Sequence, residues 1–115
     1  MSKRPKLLKI DDEMQRWCAT LEDELSSWPG VRTRPIFGMV AFYRGTQIFA
    51  AVPRTRAADT ARSILLKLPA LRDPRLRQER GRGAGWVTFE VGTETDLADA
   101  VRRLGRAYAR ARYGL

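Results

Sequence analysis

Apolar positions in the first third of the chain recur at helical spacing. Ile10, Met14, Trp17, Cys18, Leu21, Leu25 and Trp28 fall on one stripe and predict a helix over 11–27. Asp11, Asp12 and Glu13 suit its positive N-terminal end, and Pro29-Gly30 stops it. The period then drops to two. Val31–Phe37, Met39–Tyr43 and Gln47–Val52 read as strands. Pro35 marks the first as an edge or a bulge, and the other two form a hairpin turning at Gly45 and closed by Pro53.

Between 54 and 68 the pattern fits two elements. Ala57, Ala58, Ala61, Ile64, Leu65 and Leu68 suit a helix, while Ser63–Leu68 suits a short strand. The reading adopted is a loop or one helical turn to Arg62, then the strand. Residues 69–85 carry two prolines and three glycines and form a basic connector. Trp86–Val91 alternates as a further strand. Thr93 or Thr95 can cap a last helix, with Asp96 three residues after Thr93 near a capping-box pattern. Leu97, Val101, Leu104, Tyr108 and Ala111 are its buried stripe. Helix, about five strands and helix, joined by short connections, predict an α+β domain: a mostly antiparallel sheet flanked by an N-terminal and a C-terminal helix. It spans 11–115, after a basic N-terminal arm at 1–10. Trp17, Trp28, Phe37, Phe42, Phe49, Trp86 and Phe89 are its expected large core members.

Composition changes the picture through charge. The 115 residues carry a net charge of +9, and 18 of the 22 basic residues are arginine. Residues 31–82 hold twelve basic against three acidic groups, which is the whole excess. A clustered field of arginines attracts polyanions, whereas a dispersed one mainly confers solubility. Arg32, Arg34, Arg54 and Arg56 bracket the apolar hairpin. Together with Lys67, Arg75, Arg77, Arg80, Arg82 and Trp86 they are the candidate binding residues, provided folding gathers them at one edge. The expected partner is a nucleic acid or an acidic protein surface.

The chemistry that is missing narrows the function. Without histidine there is no Ser-His-Asp or Cys-His system, and one cysteine cannot complete a zinc shell. No cofactor or metal is expected. Cys18 lies on the apolar stripe and reads as a core residue. Asp59, Asp73 and Glu79 stand among arginines and are expected to pair with them. Lys67 could be a nucleophile only if desolvated, and reads better as the cap of a sheet face. No apolar run suits a membrane span or a signal peptide, so a cytoplasmic, non-enzymatic protein is expected.

Two patterns go further. RGAGWVTF, Arg82 to Phe89, resembles the RNP1 signature of RNA-recognition domains, with Ala84 where the first stacking aromatic belongs and Trp86 at the next. The βαββαβ order of that fold is not the order read here. The hairpin, in turn, is apolar on both faces: Met39 and Ala41 on one, Val40 and Phe42 on the other. Two helices cover one face, so a second copy, a crossing helix or a ligand is expected on the other, with a homodimer the simplest case.

IFGMVAFYRGTQIFAAV, with Phe37-Gly38-Met39 and Ile48-Phe49-Ala50, resembles the Phe-Gly hairpin of the TfoX/Sxy N-terminal domain family, and more distantly the MmcQ/YjbR-like domains. LLKL around Lys67 and the closing AYARA at Ala107–Ala111 resemble that family's next strand and last helix. The resemblance implies a bacterial regulatory or interaction module linked to DNA-uptake competence, with no catalytic residues to carry over. The alternative is a small-molecule-binding or enzymatic domain with a pocket near Trp86, Tyr43 and Lys67.

Overall fold

The computed structural model describes residues 7–69, 72–78 and 85–112. It is an α+β fold. Strand β1 (Leu8–Lys9) precedes helix α1 (Asp12–Ser26), and strands β2 (Val31–Ile36), β3 (Met39–Arg44), β4 (Gln47–Pro53), β5 (Arg56–Ala57), β6 (Ser63–Lys67), β7 (Leu76–Gln78) and β8 (Trp86–Glu90) lead to helix α2 (Asp96–Ala111). Six strands form one sheet in the order β2-β3-β4-β6-β8-β7, with every neighbouring pair antiparallel. The remaining two, β1 and β5, pair as a separate small ribbon.

Both helices pack on one face of the sheet. Met14, Cys18, Leu21 and Leu25 of α1 and Ala100, Leu104 and Ala107 of α2 meet Val40, Phe42, Phe49, Ile64, Leu66, Val87 and Phe89 in one continuous core. Cross-strand register decides which residues join it. A bulge at Phe42/Tyr43 lets Phe42 oppose Ala50 and Tyr43 oppose Ile48, so Phe49 is the extra residue and points inward. There it stacks on Trp28, centroids 6.4 Å apart, and meets the edge of Tyr108 at 5.6 Å. Tyr108 is also tied down at both ends. Its hydroxyl donates to the Pro29 carbonyl at 2.6 Å, and Arg44 lies 3.9 Å over its ring while donating to its backbone carbonyl. One aromatic cluster therefore joins the end of α1, the central hairpin and α2.

The sequence-predicted elements differ from these in four places. The connector contains a short strand, β7, which a basic stretch of alternating charge and a single buried leucine, Leu76, did not announce. Residues 7–10, placed in an arm, belong to the fold: β1 pairs with β5, the Ile10 N–H donates to the Thr55 carbonyl, and Ile10 is in the core. The Thr95 side chain makes no capping bond; instead Asp96 reaches back and accepts from the Gly92 and Thr93 N–H groups at 2.8 and 3.0 Å. Phe37, expected in the core, is 83% exposed.

Phe37 and Gly38 are the two turn residues between β2 and β3, both at positive φ (46° and 81°), the signature of a type I′ turn. The Gly38 carbonyl accepts N–H bonds from Arg54, Thr55 and Arg56 at 2.9, 2.9 and 3.2 Å, which fastens this turn to the segment leaving β4. A Cβ at Gly38 would stand 2.9 Å from Thr55 Oγ1 and 3.2 Å from Arg56 Cβ, whereas one at Gly45, also at positive φ, would meet nothing within 4 Å. Gly38→Ala and Gly45→Ala share the backbone cost, and only the first adds a clash. Urea denaturation should show Gly38→Ala less stable than Gly45→Ala by about 1–3 kcal/mol. Equal midpoints would mean that the close approach to Thr55 and Arg56 carries no weight.

Candidate functional site

The face of the sheet without helices holds the alternate residues of each strand. Pairing places Arg32 opposite Tyr43, Arg34 opposite Ala41, and Ile36 opposite Met39 on this face. Ala41 opposes Ala51, which opposes Leu65, which opposes Thr88, and Arg77 closes the row. Lys67 faces Trp86, its Nζ 5.1 Å from the ring centroid. Met39, Ala51, Ala58 and Leu65 form a second, smaller cluster against which Leu7 and Trp86 pack. Leu7 and Trp86 of the same chain therefore cover this apolar cluster, where the sequence pattern predicts a second copy, a crossing helix or a ligand. The residues before β1 and after β5 supply what the sequence pattern left unassigned.

The eight described residues among the ten binding candidates do not gather at one edge. Arg32 and Arg34 lie on β2, one edge of the sheet, and Arg77 on β7, the other edge. Five strand spacings, roughly 24 Å, separate them. Arg54 leaves β4 toward α1, where it pairs with Glu22 at 2.7 Å. Arg75 turns to the helix side, over the Phe89 ring and toward Asp96 and Asp99. Arg56 stands beside Gly38 at the turn. Trp86 is half-buried, and Arg80 and Arg82 lie outside the described residues. The pocket expected near Trp86, Tyr43 and Lys67 takes another form: a recess of about 240 Å³ where Lys67, Gln47 and Ile48 meet Ala107, Arg110 and Ala111 of α2. Of the three expected residues only Lys67 lines it.

Partners sort the cations into two groups. Arg54, Arg62, Arg75, Arg77, Arg102, Arg103 and Arg106 all have a carboxylate partner. The expected pairing of Asp59 and Asp73 with arginines is seen, with Arg77 on Asp59 and with Arg103 and Arg106 on Asp73. Glu79 lies outside the described residues. Arg44 is held by Tyr108. Arg32, Arg34, Arg56 and Lys9 are exposed and make no hydrogen bond or ion pair to a side chain among the described residues, and Lys67 meets only the Trp86 ring. Lys9 and Arg56 are direct cross-strand partners. Arg16 on α1, Arg110 on α2 and Arg72 likewise lack a carboxylate partner among the described residues, so the unneutralised set spreads over β2, the ribbon by the Phe37-Gly38 turn, the Lys67 end of the sheet and both helices.

Phe37 is the residue that sequence reasoning missed. An aromatic side chain at positive φ costs about 1–2 kcal/mol, which glycine, asparagine or aspartate would largely avoid. Asp59 shows the ordinary solution: its φ is 64°, and its carboxylate accepts from the Thr88 hydroxyl at 3.2 Å. Phe37 makes no such compensating contact, and its ring is the exposed large apolar side chain among the described residues. The signal in the sequence was Ile-Phe-Gly-Met itself. Two strand residues flanking a two-residue turn with glycine second force Phe37 outward.

Cys18 is buried, and burial, then the charge of Glu22, pushes its thiol up to about 12, so it is a protonated core group. No group of three or more Cys, Asp or Glu side chains suited to a metal ion occurs among the described residues. No helix there is long and apolar enough to cross a membrane. No protein-family model, curated protein or solved structure matches the chain.

Among the ion pairs, Asp73 with Arg103 is the least exposed, at 14% and 15% of side-chain area. Two bonds from the Arg103 guanidinium, at 2.8 and 3.1 Å, hold the Asp73 carboxyl below its usual range. A depressed carboxyl stabilises the fold above its unfolded pKa of about 4, and that contribution is lost as pH falls through the folded value. Asp73→Asn should cost about 1–3 kcal/mol at pH 7 and flatten part of the acid-side fall in urea midpoint. An acid limb of unchanged slope would remove Asp73 from the account.

Proposed function

We propose that the protein is a non-catalytic regulatory or interaction module that binds a nucleic acid through its helix-free side. Arg32, Arg34, Arg56, Lys9 and Lys67 are the contacting cations. The observation that carries this reading is the sorting of charge. Acidic groups neutralise most arginines of the helix side and of the β7 edge, Arg16, Arg72 and Arg110 excepted, while all five of these cations stay unneutralised. Arginine forks left free to engage phosphate, with half-buried Tyr43 and Trp86 on the same face, suit a polyanion better than an uncharged ligand. The likeness of IFGMVAFYRGTQIFAAV to the TfoX/Sxy N-terminal hairpin supports a regulatory setting in a bacterial cytoplasm, and the chain's lack of histidine supports a role without catalysis.

The β2 edge itself supports side-chain binding over strand addition. The two-residue turn makes Ile36 and Met39 the closing pair, so alternation puts Pro35 where its N–H would have pointed away from β3. A proline there, directly after the exposed Arg32 and Arg34, blocks an added strand.

Fluorescence anisotropy with labelled oligonucleotides tests the proposal. Five phosphate contacts to a single strand predict a log–log salt slope of roughly −3.5, a loss of roughly 130-fold between about 50 and 200 mM salt. Arg32→Ala combined with Arg34→Ala should shrink that slope, while Arg102→Ala, whose guanidinium is already paired with Asp99, should leave it unchanged. Binding that is indifferent to salt, or equally sensitive to all three substitutions, contradicts the assignment.

A further inference from the structure

We propose that Phe37 is the stacking anchor for an unpaired base of a single-stranded nucleic acid whose phosphates lie on Arg34, Arg56 and Lys9. This rests on the nucleic-acid reading above and names the strandedness and the central contact. Three observations carry it. The ring is 83% exposed at a turn whose backbone, at φ 46°, favours other residues, so neither burial nor conformation accounts for a phenylalanine. The turn is fastened by three N–H bonds to the Gly38 carbonyl, so the ring is presented from a fixed base and loses little freedom on binding. Of the cations near it along the chain's pairing, Arg54 is taken by Glu22 and three are unneutralised. Arg56 packs beside Gly38, Lys9 is the cross-strand partner of Arg56, and Arg34 lies three residues back on β2, roughly 10 Å along an extended strand.

The topology favours a single strand over a duplex. A β-ribbon that enters the major groove needs both strands free of further pairing. Here β3 is paired with β4 along its length, and the turn is bonded to residues 54–56, so the hairpin is part of a broad sheet rather than a free arm. Its ring reaches a base only where the base is already unstacked. An exposed aromatic face beside arginines meets that base by stacking while the guanidinium groups hold the backbone.

Anisotropy and thermal melting of the whole chain test this together, with a fluorescein-labelled mixed-sequence single-stranded oligonucleotide, its duplex and polyglutamate as probes. The wild type should prefer the single strand. Phe37→Asn should weaken single-strand binding roughly tenfold or more while raising Tm, since asparagine accepts the left-handed turn position. Phe37→Trp should keep the affinity. A lowered Tm in Phe37→Asn would assign the ring to the fold and overturn the proposal. So would unchanged affinity in that variant while Arg32→Ala with Arg34→Ala still weakens binding, which leaves the module reading standing. Tighter binding to polyglutamate, lost in Phe37→Asn, would replace the nucleic acid by an acidic protein. No affinity for any oligonucleotide would overturn both readings.

Discussion

Two amphipathic helices can close only one face of a six-stranded sheet, and most of what is distinctive about this molecule follows from that limit. Phe42, Phe49 and Phe89 lie under α1 and α2 with no exposed surface. The helices carry most of the acidic residues, so the carboxylates arrive on the same side as the core: Glu22 on α1, Asp96 and Asp99 on α2, and Asp11 and Glu13 at the start of α1. Most arginines reaching that side find partners, Arg16 and Arg110 excepted. Arg103 shows the result in its tightest form, donating to Asp73 while its guanidinium rests 4.9 Å from the Phe89 ring centroid. Hydrophobic packing thus decides which charges are neutralised, although no ion pair need be strong on its own.

The opposite face was closed by other means. Short segments at either end of the ribbon bring Leu7 and Ala58 against Met39, Ala51 and Leu65, and Trp86 completes the cover. Small residues at the centre, Ala41 and Ala51, need little to bury them. That leaves the rim of this face to arginine, lysine and half-buried aromatic side chains. The rim faces water because nothing in the core requires it to do otherwise.

Periodic segments were legible from the sequence because their burial is periodic. Both helices, the central hairpin and the Trp86 strand follow from stripes or alternation that the core enforces, while the Ser63 strand is one of two elements that its pattern allows. What did not follow was decided by contacts distant in sequence. Strand β7 contributes only Leu76 to the core, and β1 has meaning only beside β5. Closeness in sequence does not gather arginines in space. Arg54 and Arg56, two residues apart, end with different fates: one on Glu22, the other beside a turn and unneutralised. Side-chain partners at long range cannot be read from charge counts. Hydrophobicity alone assigns Phe37 to the core, whereas the turn chemistry of Phe37-Gly38 turns it outward.

The central claim is that binding capacity lies on the side of the sheet that the helices leave open. Backbone amide chemical shifts followed by NMR during titration with a single-stranded oligonucleotide test it residue by residue. The account predicts that the largest changes fall on Lys9, Arg32, Arg34, Phe37, Gly38, Arg56 and Lys67, with α1 and the outer face of α2 unmoved. Changes concentrated on Arg16, Arg102 and Arg106, with the β2 residues still, would contradict it.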